Sequence, residues 1–140
     1  MATMNNGAWD EFLAKTRYGI LTMLRSDGSP ISVPVWFEWD GHTVRLFTES
    51  TAPKVKRIKN DPRVSLLITN ELSEPETWIA FDGSATIKQE GGFELAERLA
   101  AKYWDLSDPE LKQTLESWRA AADDFFLIEL VPDRIRSYSL

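Results

Sequence analysis

Three strand-type runs separated by strong turn signals place the tightest limit on how this chain can fold. Residues 20–25 (ILTMLR), 31–39 (ISVPVWFEW) and 42–49 (HTVRLFTE) are rich in β-branched and aromatic residues. The sequence SDGSP separates the first two runs, and Asp40 and Gly41, a dipeptide typical of tight hairpins, separate the second and third. We therefore expect these three runs to form an antiparallel meander.

The second run contains a proline, Pro34. Proline has no N–H group to donate to a strand ladder, so it rarely lies in the middle of a sheet. This position therefore predicts an edge strand, a bulge or a place where the sheet opens.

Further strands and helices follow these runs. Strand-type runs cover residues 63–69, 77–88, 125–132 and 134–139. Helical periodicity covers residues 93–104, and Ser107 with Glu110 predicts a capping box at the start of another helix. Strands dominate and βαβ alternation is absent, so the order predicts a mainly β (α+β) fold, an antiparallel barrel with helical cover.

Composition limits the class of protein further. The 140 residues, 43% of them hydrophobic, suit a single domain over residues 1–140. A formal net charge of -6 and a pI near 4.8 argue against a nucleic-acid partner. The chain has no cysteine, which excludes disulfides, thiolate catalysis and cysteine-based zinc sites. Residues 1–12 do not resemble a targeting segment and no stretch approaches the roughly 20 apolar residues of a membrane span, so we expect a cytoplasmic protein with no membrane partner.

One basic segment stands out in this acidic chain. Residues 46–68 predict a strand, a short helix carrying Lys54, Lys56, Arg57 and Lys59, and a second strand. Ser50 or Thr51 can cap that helix, and Pro53 suits its first turn. The helix N-terminus beside Lys54 is a setting that a phosphate prefers. The alternative is an amphipathic helix with Val55 and Ile58 inward and its basic side chains in water.

The order and spacing of these segments resemble one known family over residues 8–138. The runs ISVPVWFEW, TVRLFTE, NDPRVSLL and WIAFDGSATI, with Asp40, Gly41 and Lys54 between them, are similar to the pyridoxamine 5′-phosphate oxidase-like flavin-binding split barrels. The resemblance implies a six-stranded antiparallel Greek-key split β-barrel of the FMN-binding type. It also implies a homodimer with flavin sites at the subunit interface.

The resemblance implies a set of cofactor-binding residues. Thr48 falls at the hydroxyl that bonds the flavin phosphate, and Lys54 falls at the residue that neutralises it. The second strand passes beside the flavin ring, Trp78 meets the ring, and Tyr138 matches an aromatic residue from the partner subunit. Core or interface packing is the alternative for Trp78 and Tyr138. The full predicted set is Val33, Pro34, Val35, Trp36, Phe47, Thr48, Ser50, Lys54, Trp78 and Tyr138.

Departures from the family's founding enzyme narrow the expected function. That enzyme has basic residues where this chain has Ser32, Phe37 and Pro53, and its C-terminal Arg and His that hold the substrate have no counterpart here. Pyridoxamine phosphate oxidation is therefore not expected. The resemblance implies that the cofactor is FMN or the deazaflavin coenzyme F-420, and the sequence alone does not distinguish between these two.

Two classes of function remain open at the sequence level. The first is an oxidoreductase acting by hydride transfer on a small-molecule substrate, and the second is a non-catalytic flavin-binding or flavin-storage protein. The sequence predicts no catalytic side chain and no metal site, because a flavin supplies the redox chemistry itself. His42, the single histidine, is expected to be a surface turn residue.

Overall fold

The fold is a seven-stranded antiparallel sheet with helices around it, seen in a computed structural model that describes residues 6–140. The strands are β1 Gly19–Leu24, β2 Pro30–Val35, β3 Glu38–Trp39, β4 Val44–Glu49, β5 Arg63–Thr69, β6 Thr77–Lys88 and β7 Phe125–Ser139. Their order in the sheet is β2-β1-β5-β6-β7-β4-β3. The prediction of one domain over residues 1–140 extends to residues 1–5, which lie outside the described part.

The two edge strands of this sheet are consecutive in sequence. Only Trp36 and Phe37 separate the end of β2 from the start of β3, yet these strands occupy opposite ends of the sheet order. The sheet must therefore curl until its two edges come close, which makes it a half-barrel. Pro34 lies on β2, which is an edge strand of the sheet. An edge strand is one of the three alternatives that the sequence predicts for this proline.

This curl corrects two predictions. The expected meander is wrong, because β2 pairs with β1 whereas β3 pairs with β4 at the far edge. The six-stranded barrel is also wrong, since the run at 31–39 divides into two strands while the runs at 125–132 and 134–139 join into one. The long β7 stays continuous because it pairs with β6 along its length, with one register shift opposite Asp82 and Gly83.

Four α-helices surround the sheet within residues 6–140: α1 Asn6–Ala14, α2 Pro53–Asn60, α3 Gly92–Tyr103 and α4 Pro109–Ala120. Pro53 opens α2 as predicted, but the N-cap is Ala52 and no side chain caps the helix. The predicted capping box of α4 is also wrong. Asp108 caps that helix by accepting from the Glu110 N–H (2.9 Å), because Ser107 instead bonds the Asp105 carboxylate.

Two main groups of buried side chains hold these elements together, and three leucines of α3 and β7 form a third. The larger lies inside the curled sheet and includes Phe37 and Phe81, both fully buried. The smaller joins α3 and α4 to the start of β7 through residues such as Phe93 and Phe125. Gly92 allows this contact, because a Cβ there would lie 2.5 Å from the Phe125 carbonyl oxygen. Across residues 6–140, no helix combines the length and apolar character needed to span a membrane.

Candidate functional site

A groove of about 370 Å³ opens beside the point where β2 ends. Its wall includes six of the ten predicted site residues: Pro34, Val35, Trp36, Phe47, Thr48 and Lys54. These residues come from β2, the link to β3, β4 and α2. The curl of the sheet brings them together, because it places the end of β2 near β4 from the opposite edge.

Lys54 lines this groove from the first turn of α2. Its side chain is partly buried, and burial lowers the pKa of the ammonium group below its ordinary value of 10.5. No carboxylate of residues 6–140 forms an ion pair with it within 4 Å. A partly buried cation without a counterion favours an anionic ligand, which would restore the charge balance.

Thr48 and Ser50 are the two residues of the predicted set with an aliphatic hydroxyl group. Thr48 is 4% exposed, and its Oγ1 donates to the Glu49 carbonyl at 3.2 Å. Ser50 lies outside the groove wall, and its N–H donates to the Asp124 carbonyl (2.7 Å). Thr48 and Lys54 are therefore the polar side chains from the predicted set that the groove brings together.

Several aromatic rings of the groove wall cluster around Trp36. The indole of Trp36 stacks on Tyr103, with ring centroids 4.9 Å apart and planes 14° from parallel. It meets Trp104 edge to face at 5.0 Å, and Phe47 likewise at 5.8 Å. Trp118 of α4 lies 5.1 Å from Trp104 between ring centroids. This wall offers flat apolar surface to a planar ligand.

A single hydroxyl group fixes the link between β2 and β3. The Tyr103 hydroxyl accepts from the Phe37 N–H (3.3 Å) and donates to the Arg17 carbonyl (2.5 Å). Burial raises the pKa of this phenol above its ordinary value of 10.0. Phe37 lies where the strand is interrupted, so Tyr103 supplies the partner that a neighbouring strand would otherwise supply. Tyr103 therefore positions Trp36 both by stacking and through the backbone.

Four predicted site residues do not line the groove: Val33, Ser50, Trp78 and Tyr138. Trp78 and Tyr138 lie directly opposite each other on β6 and β7. The Arg136 guanidinium lies 5.9 Å from the centre of the Trp78 ring and is held there by an ion pair with Asp82. These aromatic residues form a second surface, separate from the groove of this chain.

Sequence reasoning missed six residues of the wall: Tyr18, Glu49, Ala52, Trp104, Trp118 and Phe125. The helical pattern around Trp104 and Trp118 indicates burial but not which elements these residues contact. Tyr18 lies just before β1 and is 62% exposed. A large aromatic residue beside a turn is too common to have indicated a binding role.

The groove contains no histidine, cysteine or metal site within the described part of the chain. His42 is exposed in the turn between β3 and β4, as predicted, where its N–H donates to the Asp40 carboxylate (2.8 Å). The polar chemistry of the groove is therefore that of a phenol, a threonine, an exposed carboxylate and an ammonium group.

Solved structures with the same fold have diverse descriptions. An F420 reductase aligns with a TM-score of 0.74 at 23% identity, covering 91% of this chain and 94% of its own. A conserved hypothetical protein from Mycobacterium tuberculosis gives 0.72 at 24% identity, covering 98% and 86%. The heme storage protein HutZ from Vibrio cholerae gives 0.64 at 16% identity, covering 95% and 92%. These similarities establish the fold.

Sequence comparison gives the family. Among curated proteins, none matches the chain significantly. A sequence model of the family described as Pyridoxamine 5′-phosphate oxidase, in contrast, matches residues 6–138. The chain belongs to the pyridoxamine 5′-phosphate oxidase family of split barrels.

Proposed function

We propose that the protein binds a phosphorylated flavin-type cofactor in the groove and acts as an oxidoreductase on a small molecule. The observation that carries this proposal is Lys54, a partly buried cation with no ion pair within residues 6–140, in a groove that also contains a cluster of aromatic rings and one exposed carboxylate. FMN and the deazaflavin coenzyme F-420 both combine a planar ring system with a phosphate group. The aromatic rings and the Lys54 cation of the groove match these two chemistries.

Lys54 and Thr48 would hold the phosphate. Pro53 leaves one fewer N–H group at the N-terminus of α2, and the remaining first-turn N–H groups and the helix dipole favour a negative charge there. Trp36 and Pro34 would lie beside the ring. A bound flavin supplies hydride acceptance and donation through its own ring. The side chains of the groove then need only to bind, orient and exclude water.

The family membership and an F420 reductase with the same fold support a redox role, whereas a heme storage protein with this fold supports a binding role. Within the described residues, the groove favours a flavin over a His- or Cys-ligated haem, because its wall contains neither residue type. A non-catalytic flavin-binding protein is the alternative that the same groove would serve. A cytoplasmic location stays a prediction.

We also propose a homodimer. Pro34, Ile20 and Leu67 occupy matching positions on the adjacent strands β2, β1 and β5, so they share one face of the sheet, the face away from the core. Leu67 is 38% exposed there. Trp78 and Tyr138 lie further along the same sheet on β6 and β7, and a second copy would cover this surface. Tyr138 would then face the partner's groove.

The absorption spectrum of the purified protein tests the cofactor directly. Flavin, deazaflavin and haem have distinct spectra, and protein purified without a chromophore can be titrated with FMN and coenzyme F-420. Binding of either one in an equimolar amount supports the proposal. A haem spectrum, or the absence of binding to both cofactors, would contradict it.

Turnover separates the enzyme from the storage protein. The reduced cofactor is mixed with the protein and a panel of electron acceptors, and its reoxidation is followed by absorbance. Oxidation that is faster with the protein than without it supports an oxidoreductase. Tight binding with no acceleration for any acceptor would favour storage.

A further inference from the structure

The basic residues of this acidic protein are not evenly paired. Of 16 Lys and Arg residues, eight form ion pairs within 4 Å inside the described part of the chain. Five of the other eight are adjacent in the fold, one before the β1–β2 turn and four on α2: Arg25, Lys54, Lys56, Arg57 and Lys59. The chain carries 22 acidic residues, so this concentration of unpaired charge is local rather than a consequence of composition.

Three of these cations line a second cavity of about 380 Å³. Arg25 and Ser26 approach it from the β1–β2 turn, and Lys56 and Arg57 approach it from α2. Its wall is completed by Pro53 and Asn60, and it includes no carboxylate. The volume is within the range of small-molecule pockets. None of these residues lines the aromatic groove, although Pro53 is adjacent to Lys54 in sequence.

Both walls of the cavity are held in place by the fold. The Arg25 Nη1 donates to the Pro30 carbonyl (2.9 Å) and to the Ser29 hydroxyl (3.3 Å), which leaves other guanidinium N–H groups unused. The neighbouring carboxylate, Asp27, accepts from the Ser29 hydroxyl at 2.6 Å. Across the cavity, the buried residues Val55 and Ile58 anchor α2 against the sheet.

We propose that this cavity is a second anion site that binds a phosphate-bearing or carboxylate-bearing small molecule. The guanidinium groups of Arg25 and Arg57 can each donate two parallel hydrogen bonds to a pair of oxygen atoms, and Lys56 adds a point charge. Three unpaired cations around one cavity repel each other, and a bound polyanion removes that repulsion. The ligand is either a separate molecule or an anionic extension of the ligand in the groove. The two sites are adjacent, because Pro53 lines the cavity and the next residue, Lys54, lines the groove.

Pyrophosphate is the probe that tests the site, with binding measured by isothermal titration at low ionic strength, where charge interactions are least screened. Arg57→Gln and Lys56→Gln each remove one charge from the cavity. Lys59→Gln is the matched control, since it removes one unpaired charge from the same helix outside the cavity. We expect the two cavity variants to weaken pyrophosphate binding by about three- to tenfold each, and the control by less than about twofold.

Three outcomes would overturn the proposal. The first is that pyrophosphate does not bind the wild-type protein. The second is that all three variants weaken binding equally, and the third is that binding depends on Lys54 and not on Arg57. Lys56 is exposed and its side chain has no hydrogen-bond partner or ion pair within the described residues, so Lys56→Gln keeps the test valid if Arg57→Gln alters folding.

Saturation of the groove distinguishes the two sources of the anion. If pyrophosphate binds equally well with FMN present, and FMN and F-420 affinities do not depend on Arg57, the ligand is a separate molecule. If F-420 binding weakens in Arg57→Gln while riboflavin binding does not, the cavity holds an anionic extension of the groove's ligand. This second source rests on the proposed function, whereas failure of all flavins to bind would refute that function and leave the pyrophosphate result unaffected.

Discussion

Removing the Tyr103 hydroxyl tests how the interrupted strand is held. Tyr103→Phe keeps the ring that stacks on Trp36 at 4.9 Å, but it removes the acceptor of the Phe37 N–H and the donor to the Arg17 carbonyl. The Phe37 side chain is 0% exposed, so the link in which its N–H lies is packed into the core. We expect the free energy of unfolding to fall by about 1–3 kcal/mol, the cost of leaving such a group without a partner.

Equilibrium unfolding in urea, followed by tryptophan fluorescence, measures this loss. The midpoint should fall while the denaturant slope stays constant, because the surface exposed on unfolding does not change. Tyr18→Phe is the matched control, since this phenol is 62% exposed and its hydroxyl makes no hydrogen bond within residues 6–140. Its effect should stay within about 0.5 kcal/mol. Equal unfolding free energies for the two variants would refute the bridging role of Tyr103.

Four other perturbations give distinct outcomes. Trp36→Ala should change tryptophan emission and weaken FMN binding, because Trp36 is central to the aromatic wall; unchanged affinity would contradict its placement beside the ring. His42→Ala should leave cofactor affinity and any turnover within a few-fold, since this exposed turn residue does not line the groove. Gly92→Ala should destabilise the fold measurably by thermal unfolding, because its Cβ would lie 2.5 Å from the Phe125 carbonyl oxygen. Asp40→Asn should reduce the loss of stability between about pH 4 and pH 2. Burial opposes ionisation of Asp40, but hydrogen bonds from backbone N–H groups and a neighbouring guanidinium outweigh burial and lower the pKa of Asp40 from 3.8 to about 2. The ionised carboxylate therefore stabilises the fold above the unfolded-state pKa, and this stabilisation is lost as the pH falls through the folded-state pKa.

Local patterns in the sequence were sufficient to locate much of the sheet. The run at 63–69 and the run at 77–88 are strands with those bounds, because β-branched residues and flanking turn residues mark both of their ends. Val55 and Ile58 face inward on α2, as helical spacing predicted. The order of segments also led to the family, which the match over residues 6–138 confirms.

Features that depend on distant contacts could not be predicted in the same way. The run at 31–39 is continuous in strand-forming residues, and where it is interrupted the Phe37 N–H donates to the Tyr103 hydroxyl, 66 residues further along the chain. The aromatic wall likewise depends on how α3 and α4 place Trp104 and Trp118 against Trp36. The N-cap positions Ala52 and Asp108 differ from the predicted ones by one or two residues, because no side chain caps α2 and because Ser107 bonds the Asp105 carboxylate instead of capping α4.

The affinities for FMN and riboflavin, measured for the wild-type protein and Lys54→Gln, test the central claim most directly. These ligands differ only in the phosphate group, so the ratio of their affinities reports the contribution of the phosphate site. We expect the wild-type protein to prefer FMN by about 1.5–3 kcal/mol, roughly 10- to 150-fold, and Lys54→Gln to lose most of that preference while its riboflavin affinity is retained. Equal affinity of the wild-type protein for FMN and riboflavin would contradict the account.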